Sequence, residues 1–466
     1  MDRTPQYQAG RSRRSTTGVT LVAVATIAAI ATAYASGGLT FPNASGAVGI
    51  VGMNDLDANN AFFQELGTNG RRCVTCHQAA QGWSITPSEL RERFDRTDGL
   101  DPIFRSNDGS NCEGADVSTT RKRRRTFSLL LERGLIRVGL DVPTGADFDI
   151  VAVDDPYRCG AALTSVSMYR RPLPTANLKF LSAVMWDGRA SKPGHAIRDG
   201  LINQVVDAVT SHAQGVTPPP TQVHSIVDFE LKLFSTQVVD RAAGSLVAGA
   251  TRSAPGTLGR ESFCIGINDP LDMLPSMPGA CGASSGGLNP FVFTLFRGWM
   301  NDASVRRQAI ARGEAIFNTR QFVIDDVPGL NGRLEDPVRR PLQNGTCSIC
   351  HDTPNAGNHS VPMALNIGVA DASRRTADLP LYTLHRRATG ETVQTTDPGR
   401  AMVTGRWNDI GKFKGPVLRS LSARPPYFHD GSAATLAEVI RFYDTRFQAR
   451  FTEQEKADLR AFLEAL

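Results

Sequence analysis

The sequence predicts a mainly α-helical chain built from two related halves with long loops. Three observations support this prediction: a short cysteine-histidine motif at residues 73–77 and again at 347–351, an amphipathic helix candidate before each copy, and no convincing alternating strand pattern. The 466 residues are 21% charged and 41% hydrophobic, which excludes a disordered chain and a multi-span membrane protein. This length is enough for about two to three domains.

The two cysteine-histidine motifs carry the clearest chemical signal. Each reads C-x-x-C-H, the attachment signature of a c-type haem, in which two thiols reach the porphyrin vinyl groups and the adjacent histidine reaches the iron. The residues are Cys73, Cys76 and His77 in the first copy and Cys347, Cys350 and His351 in the second. A zinc site would need a further Cys/His pair near each motif, and the sequence has none. The chain is therefore predicted to carry two covalent haems.

Helices are expected around both motifs. Asn54-Asp55 can cap an amphipathic segment that ends at Gly67, and Ser304 can cap a second one over residues 305–317. At the C-terminus, Thr452 and Glu455 match a capping box. The expected architecture is two cytochrome c-type haem domains, each a small helical bundle around a covalent haem, with long loops.

The domain boundary is expected in the loop over residues 274–290, which is rich in proline, glycine and serine. We therefore divide the chain into residues 36–285, an N-terminal haem domain with insertions, and residues 286–466, a C-terminal haem domain. Residues 1–35 resemble an export signal, with four arginines, a charge-free run over residues 19–35 and Ala33-Tyr34-Ala35 before Ser36. The alternative is an uncleaved membrane anchor. Either way, the bulk of the chain is expected in the periplasm.

The other four cysteines are expected to form disulfides, because their number is even and the chain is predicted to be exported. Sequence order favours Cys112–Cys159 and Cys264–Cys281, although four cysteines allow three pairings. The net charge is +5, of which the first 35 residues supply +3 through four arginines and one aspartate. The remaining +2 is too small for a nucleic-acid binding surface.

Further motifs resemble those of the bacterial dihaem cytochrome c peroxidase superfamily, which includes the MauG-like enzymes. They are Met185-Trp186-Asp187-Gly188-Arg189 and Pro426-Tyr427-Phe428-His429-Asp430-Gly431-Ser432, in order between and after the two haem motifs. The resemblance implies that the N-terminal haem is open and reacts with peroxide, and that the C-terminal haem transfers electrons. It also implies that Trp186 lies between the haems on the electron path.

The C-terminal haem is expected to depart from the peroxidases in its sixth ligand. The peroxidases have a methionine there, on the helix after the second motif, and the matching residue is Tyr443, as in MauG-like enzymes. A phenolate is a harder donor than a thioether and favours ferric iron. Met402, downstream of His351, is the alternative ligand.

The groups for proton transfer at the N-terminal haem match the family pattern only in part. No histidine occurs between His77 and His195, so the removable distal histidine of the peroxidases is missing. The family's catalytic glutamate has no clean match, whereas Gln204 aligns with a family glutamine. His212 is the best local acid/base by chemistry. His429 is either catalytic or a histidine that bonds the backbone or a haem propionate.

The resemblance also implies a structural calcium ion between the domains. Its expected ligands are backbone carbonyls near Arg424 and Pro426, and Asn177 is a candidate side-chain ligand.

The function that the resemblance favours is reduction of hydrogen peroxide, with electrons from a small periplasmic donor such as a cytochrome c or a copper protein. Three alternatives stay open. A MauG-like oxidase would act on a protein or organic substrate, a rubber-oxygenase-like dioxygenase would bind oxygen, and an electron-transfer cytochrome would ignore peroxide. The sequence leaves open whether the chain forms a homodimer.

Overall fold

Helices and short antiparallel strands together build the fold. The computed structural model describes residues 32–33, 38–53, 59–160, 162–192, 194–249, 251–264, 267–268, 288–331, 341–359 and 364–466. The helices are α1 Cys73–Cys76, α2 Pro87–Thr97, α3 Thr120–Thr126, α4 Ser128–Arg133, α5 Ile197–Asp207, α6 Pro220–Lys232, α7 Pro255–Arg260, α8 Val305–Thr319, α9 Cys347–Cys350, α10 Ala401–Thr404, α11 Leu436–Phe447 and α12 Glu453–Glu464. A π-helical segment, Ala208–His212, extends α5.

The strands form four antiparallel sheets within the described residues. They are β1 Thr32–Ala33, β2 Leu39–Asn43, β3 Gly46–Val51, β4 Ile136–Asp141, β5 Phe148–Asp154, β6 Ser165–Arg170, β7 Phe234–Asp240, β8 Gly244–Ser245, β9 Phe322–Ile324, β10 Leu342–Gly345, β11 Leu381–Arg386 and β12 Thr392–Thr395. The sheet orders are β1-β2-β3-β7-β8, β4-β6, β12-β11-β5 and β10-β9.

The prediction of a mainly helical chain is confirmed only in part. About 34% of the structure is helix and about 17% is strand, although the sequence showed no convincing strand pattern. The sheet of β5, β11 and β12 illustrates why. Phe148 and Ile150 in β5 and Tyr382 and Leu384 in β11 are buried, which leaves only two inward side chains per strand. Such a short alternation is hard to recognise before its distant partner is known.

One sheet joins the two parts of the chain on either side of residue 285. Strand β5 pairs antiparallel with β11 from Phe148 opposite Arg386 to Asp154 opposite Leu381, with one register shift between Thr383 and Leu384. The predicted boundary loop lies mostly outside the described residues, which resume at residue 288 after residue 268. The two halves therefore share a sheet.

Two of the three predicted helices form with the expected caps. Ser304 Oγ accepts a hydrogen bond from the backbone N–H of Arg307 at the start of α8, and Thr452 and Glu455 form the capping box of α12. The helix predicted before the first haem motif is wrong in its described part. Only the 3₁₀ turn Ala61–Phe63 forms, capped by Asn60, while Asn54, Asp55 and Leu56 lie outside the described residues.

One predicted disulfide is confirmed: Cys112 and Cys159 are bonded across 47 residues. Cys264 is also disulfide-bonded, and Cys281 lies outside the described residues. Most of the predicted export signal, residues 1–31 and 34–35, is likewise outside them. Within the described ranges, no helix is both long and apolar enough to cross a membrane.

The helices α8 and α12 cross at very short range over an aromatic core. Phe293 packs edge-to-face on Phe317 and on Phe462, with ring centroids 5.3 Å apart in both pairs. Gly313 of α8 lies at the crossing, where an added methyl group would overlap the carbonyl oxygen of Asp458 in α12. Glycine is therefore required there by contact between backbones.

We expect Gly313→Ala to lower the free energy of unfolding by about 1–3 kcal/mol, because the two helices must separate to admit the methyl group. Urea denaturation of the haem-loaded protein measures this change. The matched control is Gly256→Ala in α7, where the nearest atom is 3.8 Å away. Equal stability of both variants would contradict the assigned crossing.

Candidate functional site

The first cysteine-histidine motif lines a cavity with largely apolar walls. Cys73–Cys76 forms α1, and the backbone N–H of His77 donates to the Cys73 carbonyl at 3.0 Å, which closes one helical turn. This turn brings Cys73, Cys76 and His77 to the same cavity. Nδ1 of His77 lies 3.1 Å from the carbonyl oxygen of Trp83. Because a carbonyl only accepts, Nδ1 carries the proton and Nε2 is left for a metal.

The second motif repeats this arrangement around a second cavity. The backbone N–H of His351 donates to the Cys347 carbonyl at 3.1 Å, and Nδ1 of His351 donates to the Gly357 carbonyl at 2.6 Å. Burial lowers the pKa of His351 to about 4. The imidazole is therefore neutral at pH 7, which is the form that ligates iron.

The four motif cysteines are free of disulfide bonds and line the two cavities. Burial raises the pKa of Cys76 to about 11 and that of Cys350 to about 12, so these thiols are protonated at neutral pH. The cavities have similar water-accessible volumes of about 210 and 200 Å³. Free thiols, an oriented histidine and apolar walls are what covalent haem attachment requires.

Positive side chains lie where the two cavities meet. Arg171 and Lys414 line both cavities, and Arg424 lines the second. Burial and the charge of Arg424 lower the pKa of Lys414 to about 7. The propionate groups of a haem are anionic and would stabilise these buried cations. The residues of both cavities therefore fit a c-type haem, for which His77 and His351 would be the iron ligands.

Trp186 lines both cavities and so lies in the wall between them. Its indole N–H donates to the carbonyl of Arg171 at 2.8 Å. Its own carbonyl accepts from the backbone N–H of Lys414 at 2.9 Å. These two bonds fix both the ring and the backbone of Trp186 in the wall that separates the motifs.

His429 is buried beside the second cavity, which it lines. Its ring stacks on Phe413 with centroids 4.3 Å apart and lies 6.3 Å from the ring of Trp186. Its Nε2 is 3.7 Å from a carboxylate oxygen of Asp397. Because His429 belongs to the second cavity, it is poorly placed for proton transfer at the first motif.

Tyr443 of α11 lines the second cavity together with His351, and their ring centroids are 6.5 Å apart. Burial raises the pKa of Tyr443, so ligation as a phenolate would require the iron to displace the proton. The alternative ligand, Met402, does not line the second cavity. It is buried in a separate cluster with Phe148 and Trp407, because α10 packs against the sheet of β5 and β11.

Gln204 and His212 both line the first cavity. His212 ends the π-helical segment, and its Nδ1 is hydrogen-bonded to the Asp108 carboxylate. Arg71 forms an ion pair with the same carboxylate at 2.6 Å. Burial alone would raise the pKa of Asp108, but the hydrogen bond from His212 and the charge of Arg71 outweigh it and lower the pKa. The ionised Asp108 orients His212 and leaves its Nε2 free for proton transfer.

Sequence reasoning missed a buried carboxyl group in the first cavity. Burial raises the pKa of Glu230 to about 7, and Thr175 donates a hydrogen bond of 2.6 Å to its Oε1. Oε2 of Glu230 has no hydrogen-bond partner. The only available signal was a glutamate on the apolar face of α6, next to Ile226 and Val227.

His359 was missed in the second cavity. It is buried, and neither ring nitrogen has a hydrogen-bond partner. Its position eight residues after His351 is not part of the C-x-x-C-H signature, so the motif gave no reason to select it.

The structure gives hydrogen-bond partners for two of the three residues that were predicted to bind calcium. Both side-chain atoms of Asn177 bond the backbone of Ser235, with Nδ2 donating to the carbonyl at 2.9 Å and Oδ1 accepting from the N–H at 3.2 Å. Pro426 lines the second cavity. The carbonyl of Arg424 accepts a hydrogen bond from Arg171 at 3.2 Å. Asn177 therefore clamps the backbone of Ser235, and its role as a calcium ligand stays a prediction.

Comparison with known proteins links the sequence to peroxidases. The chain is 33% identical over 139 residues to cytochrome-c peroxidase IdrP1 of Denitromonas iodatirespirans, which covers 26% of this chain and 36% of that protein. It is 38% identical over 76 residues to the cytochrome c551 peroxidase of Nitrosomonas europaea, which covers 16% and 23%. The matches thus span about a third or less of these two relatives. No family model matches the sequence.

A solved MauG-like protein associated with microbial copper homeostasis aligns over 87% of this chain and 86% of its own, at 15% identity and a TM-score of 0.39. The sequence matches are to cytochrome-c peroxidases, in agreement with the peroxidase part of the resemblance that the motifs indicate.

We expect Tyr443→Phe to change the absorption and electron paramagnetic resonance spectra of the C-terminal haem and to raise its reduction potential, because an anionic oxygen donor is lost. The matched control is Tyr427→Phe, since Tyr427 lines the same cavity and its hydroxyl donates to the Leu421 carbonyl. Unchanged spectra of the Tyr443 variant would remove the ligand assignment.

Proposed function

From its relationship to the bacterial cytochrome c peroxidases, we propose that this chain is an exported dihaem c-type cytochrome that reduces hydrogen peroxide at the N-terminal haem. The observation that carries the proposal is the pair of similar cavities, each with a C-x-x-C-H motif, that share Trp186 in their common wall. The domain division at about residue 285 is part of the proposal, since each half supplies one motif.

Haem iron, once attached, supplies the one-electron redox chemistry that peroxide reduction needs, and two irons supply its two electrons. The side chains of the protein would hold the iron and orient the peroxide. His77 would hold the N-terminal iron on one side, with its Nδ1–H on the Trp83 carbonyl increasing the basicity of Nε2. Gln204 and His212 line the same cavity and are the groups proposed to orient peroxide and to deliver protons.

Proton delivery is assigned to His212 because its environment suits that role. The ring is partly exposed, so it can exchange protons with solvent, while its Nδ1 is held by Asp108. Glu230 is a second buried acid in the cavity, but its Thr175 bond and apolar neighbours isolate it from water. A group that must be reprotonated in every turnover needs contact with solvent.

Electrons are proposed to reach the first cavity from the second through Trp186. The indole N–H bond to Arg171 and the backbone bond from Lys414 hold the ring in the shared wall, which avoids reorganisation during transfer. His351 and Tyr443 would hold the second iron. The donor is proposed to be a small periplasmic cytochrome c or copper protein, with export by the N-terminal segment.

A MauG-like oxidase is the second candidate function, and Tyr443 in the second cavity favours it. A phenolate ligand lowers the reduction potential of the C-terminal haem, which would make electron acceptance from an ordinary cytochrome donor unfavourable. The oxidising equivalents would then be used on a protein or organic substrate.

Stopped-flow absorbance of the haem-loaded protein mixed with hydrogen peroxide separates these functions. We expect sustained oxidation of a reduced small c-type cytochrome when it is added as donor. A long-lived spectral change with little donor oxidation would instead establish the MauG-like function. No spectral change with peroxide would contradict both and leave a dioxygenase or an electron carrier.

We expect His212→Gln to slow the reaction with peroxide about 100-fold without loss of haem, because general acid catalysis is removed. The rate is measured under pseudo-first-order conditions with peroxide in excess. His224→Gln on the exposed side of α6 is the control. A rate within about twofold of that of the unmodified protein would contradict the role of His212 in proton delivery.

A further inference from the structure

A buried guanidinium lies among backbone carbonyls at the place where the family resemblance implied calcium. Nη2 of Arg171 donates to the carbonyl oxygens of Ile85, Arg424 and Pro425 at 2.7, 3.2 and 3.3 Å. Nη1 donates to the Arg133 carbonyl at 3.0 Å. Two of these carbonyls belong to the N-terminal part of the chain and two to the C-terminal part, so one side chain connects both.

Calcium ions bind backbone carbonyls such as these, but this site lacks the carboxylate ligands that usually complete the coordination. Calcium takes six to eight oxygen ligands and usually includes carboxylates. Both polar atoms of the Asn177 side chain bond the backbone of Ser235 instead.

The charges around Arg171 also oppose a calcium ion. Burial and the neighbouring positive charge of Arg424 lower the pKa of Arg171 to about 9, so the guanidinium stays charged at neutral pH. A divalent ion bound to the Arg424 and Pro425 carbonyls would lie next to this guanidinium and near Arg424. Repulsion between these cations is strong in a buried site with low dielectric constant.

The surrounding chain makes room for the guanidinium. Gly134, at φ +64° after α4, lies against it, and an added Cβ would overlap Nη1 of Arg171. Only a residue without a side chain allows both the backbone conformation and the approach of the arginine. Arg171 is 5% exposed. Its four hydrogen bonds to carbonyls offset the cost of removing the charge from water.

We infer that the Arg171 guanidinium replaces the inter-domain calcium ion and that this chain joins its two halves through an internal cation. Arg171 is a positioning residue rather than a catalytic one. Its backbone N–H donates to the His429 carbonyl at 2.6 Å, and its carbonyl accepts from Trp186. The same residue that crosslinks the halves therefore positions the Trp186 ring between the cavities, without a dissociable metal.

The first test is the calcium content of the protein with both haems attached. The protein is incubated with 1 mM calcium chloride, passed through gel filtration and analysed by mass spectrometry of its metals. We expect less than about 0.1 calcium per chain, and a melting temperature that 1 mM EDTA does not change. One calcium per chain, with a lower melting temperature after EDTA, would falsify the inference.

The second test removes the cation. We expect Arg171→Asn to lower the melting temperature by about 5 °C or more, because four carbonyls lose their donor. We expect Arg171→Lys to restore part of the loss, since an ammonium keeps the charge but has fewer donors. The control is Arg419→Asn, because Arg419 is also buried and donates to a single carbonyl, that of Ser253.

A melting temperature of Arg171→Asn equal to that of the unmodified protein would overturn the inference, as would a smaller loss than in Arg419→Asn. If Arg171→Asn does not fold, the calcium content of the unmodified protein and the melting temperature of Arg171→Lys still test the inference. None of these measurements depends on turnover, so a failure of the proposed peroxidase function would leave the outcome unaffected.

Discussion

Two adjacent buried arginines hold the centre of this structure together. Arg170 ends β6 and bridges two carboxylates, with Nη1 2.5 Å from Asp187 and Nε 2.7 Å from Asp397. Arg171 follows and donates to four backbone carbonyls. Buried charges are costly unless every donor is used, and here the partners come from segments far apart in sequence. Both cavities are defined only when those segments meet.

The two arginines both connect distant segments, but Arg170 binds charged oxygens and Arg171 binds uncharged ones. Arg170 is neutralised by carboxylates, which raise its pKa against the opposing effect of burial. Arg171 has only uncharged oxygen partners and keeps its positive charge unbalanced, close to Arg424 and Lys414. This excess positive charge lies beside both cavities, where two anionic haem edges would compensate it. Cofactor binding and charge balance are thus linked in the same residues.

The sequence predicted what depends on local spacing. The C-x-x-C-H turns, the caps of Ser304 and Thr452, and the Cys112–Cys159 disulfide follow from short patterns or from cysteine order. It did not predict Arg171, Glu230 or Lys414, because their roles arise from burial, which only tertiary packing creates. The strands were missed for the same reason, since each buries few residues until its distant partner covers it. The family motifs selected one residue of this kind, Trp186, before its packing was known.

The shared sheet has a consequence for biosynthesis. Strand β5 pairs with β11 across more than 200 residues of chain, so its hydrogen-bonding edge has no partner until the C-terminal part has been made. An unpaired edge strand is an aggregation hazard, and closing so long a loop is slow. During vectorial synthesis the first haem-binding part would therefore wait with an open edge for the second. A chaperone that shields extended segments at this stage would keep this open edge from pairing with another chain.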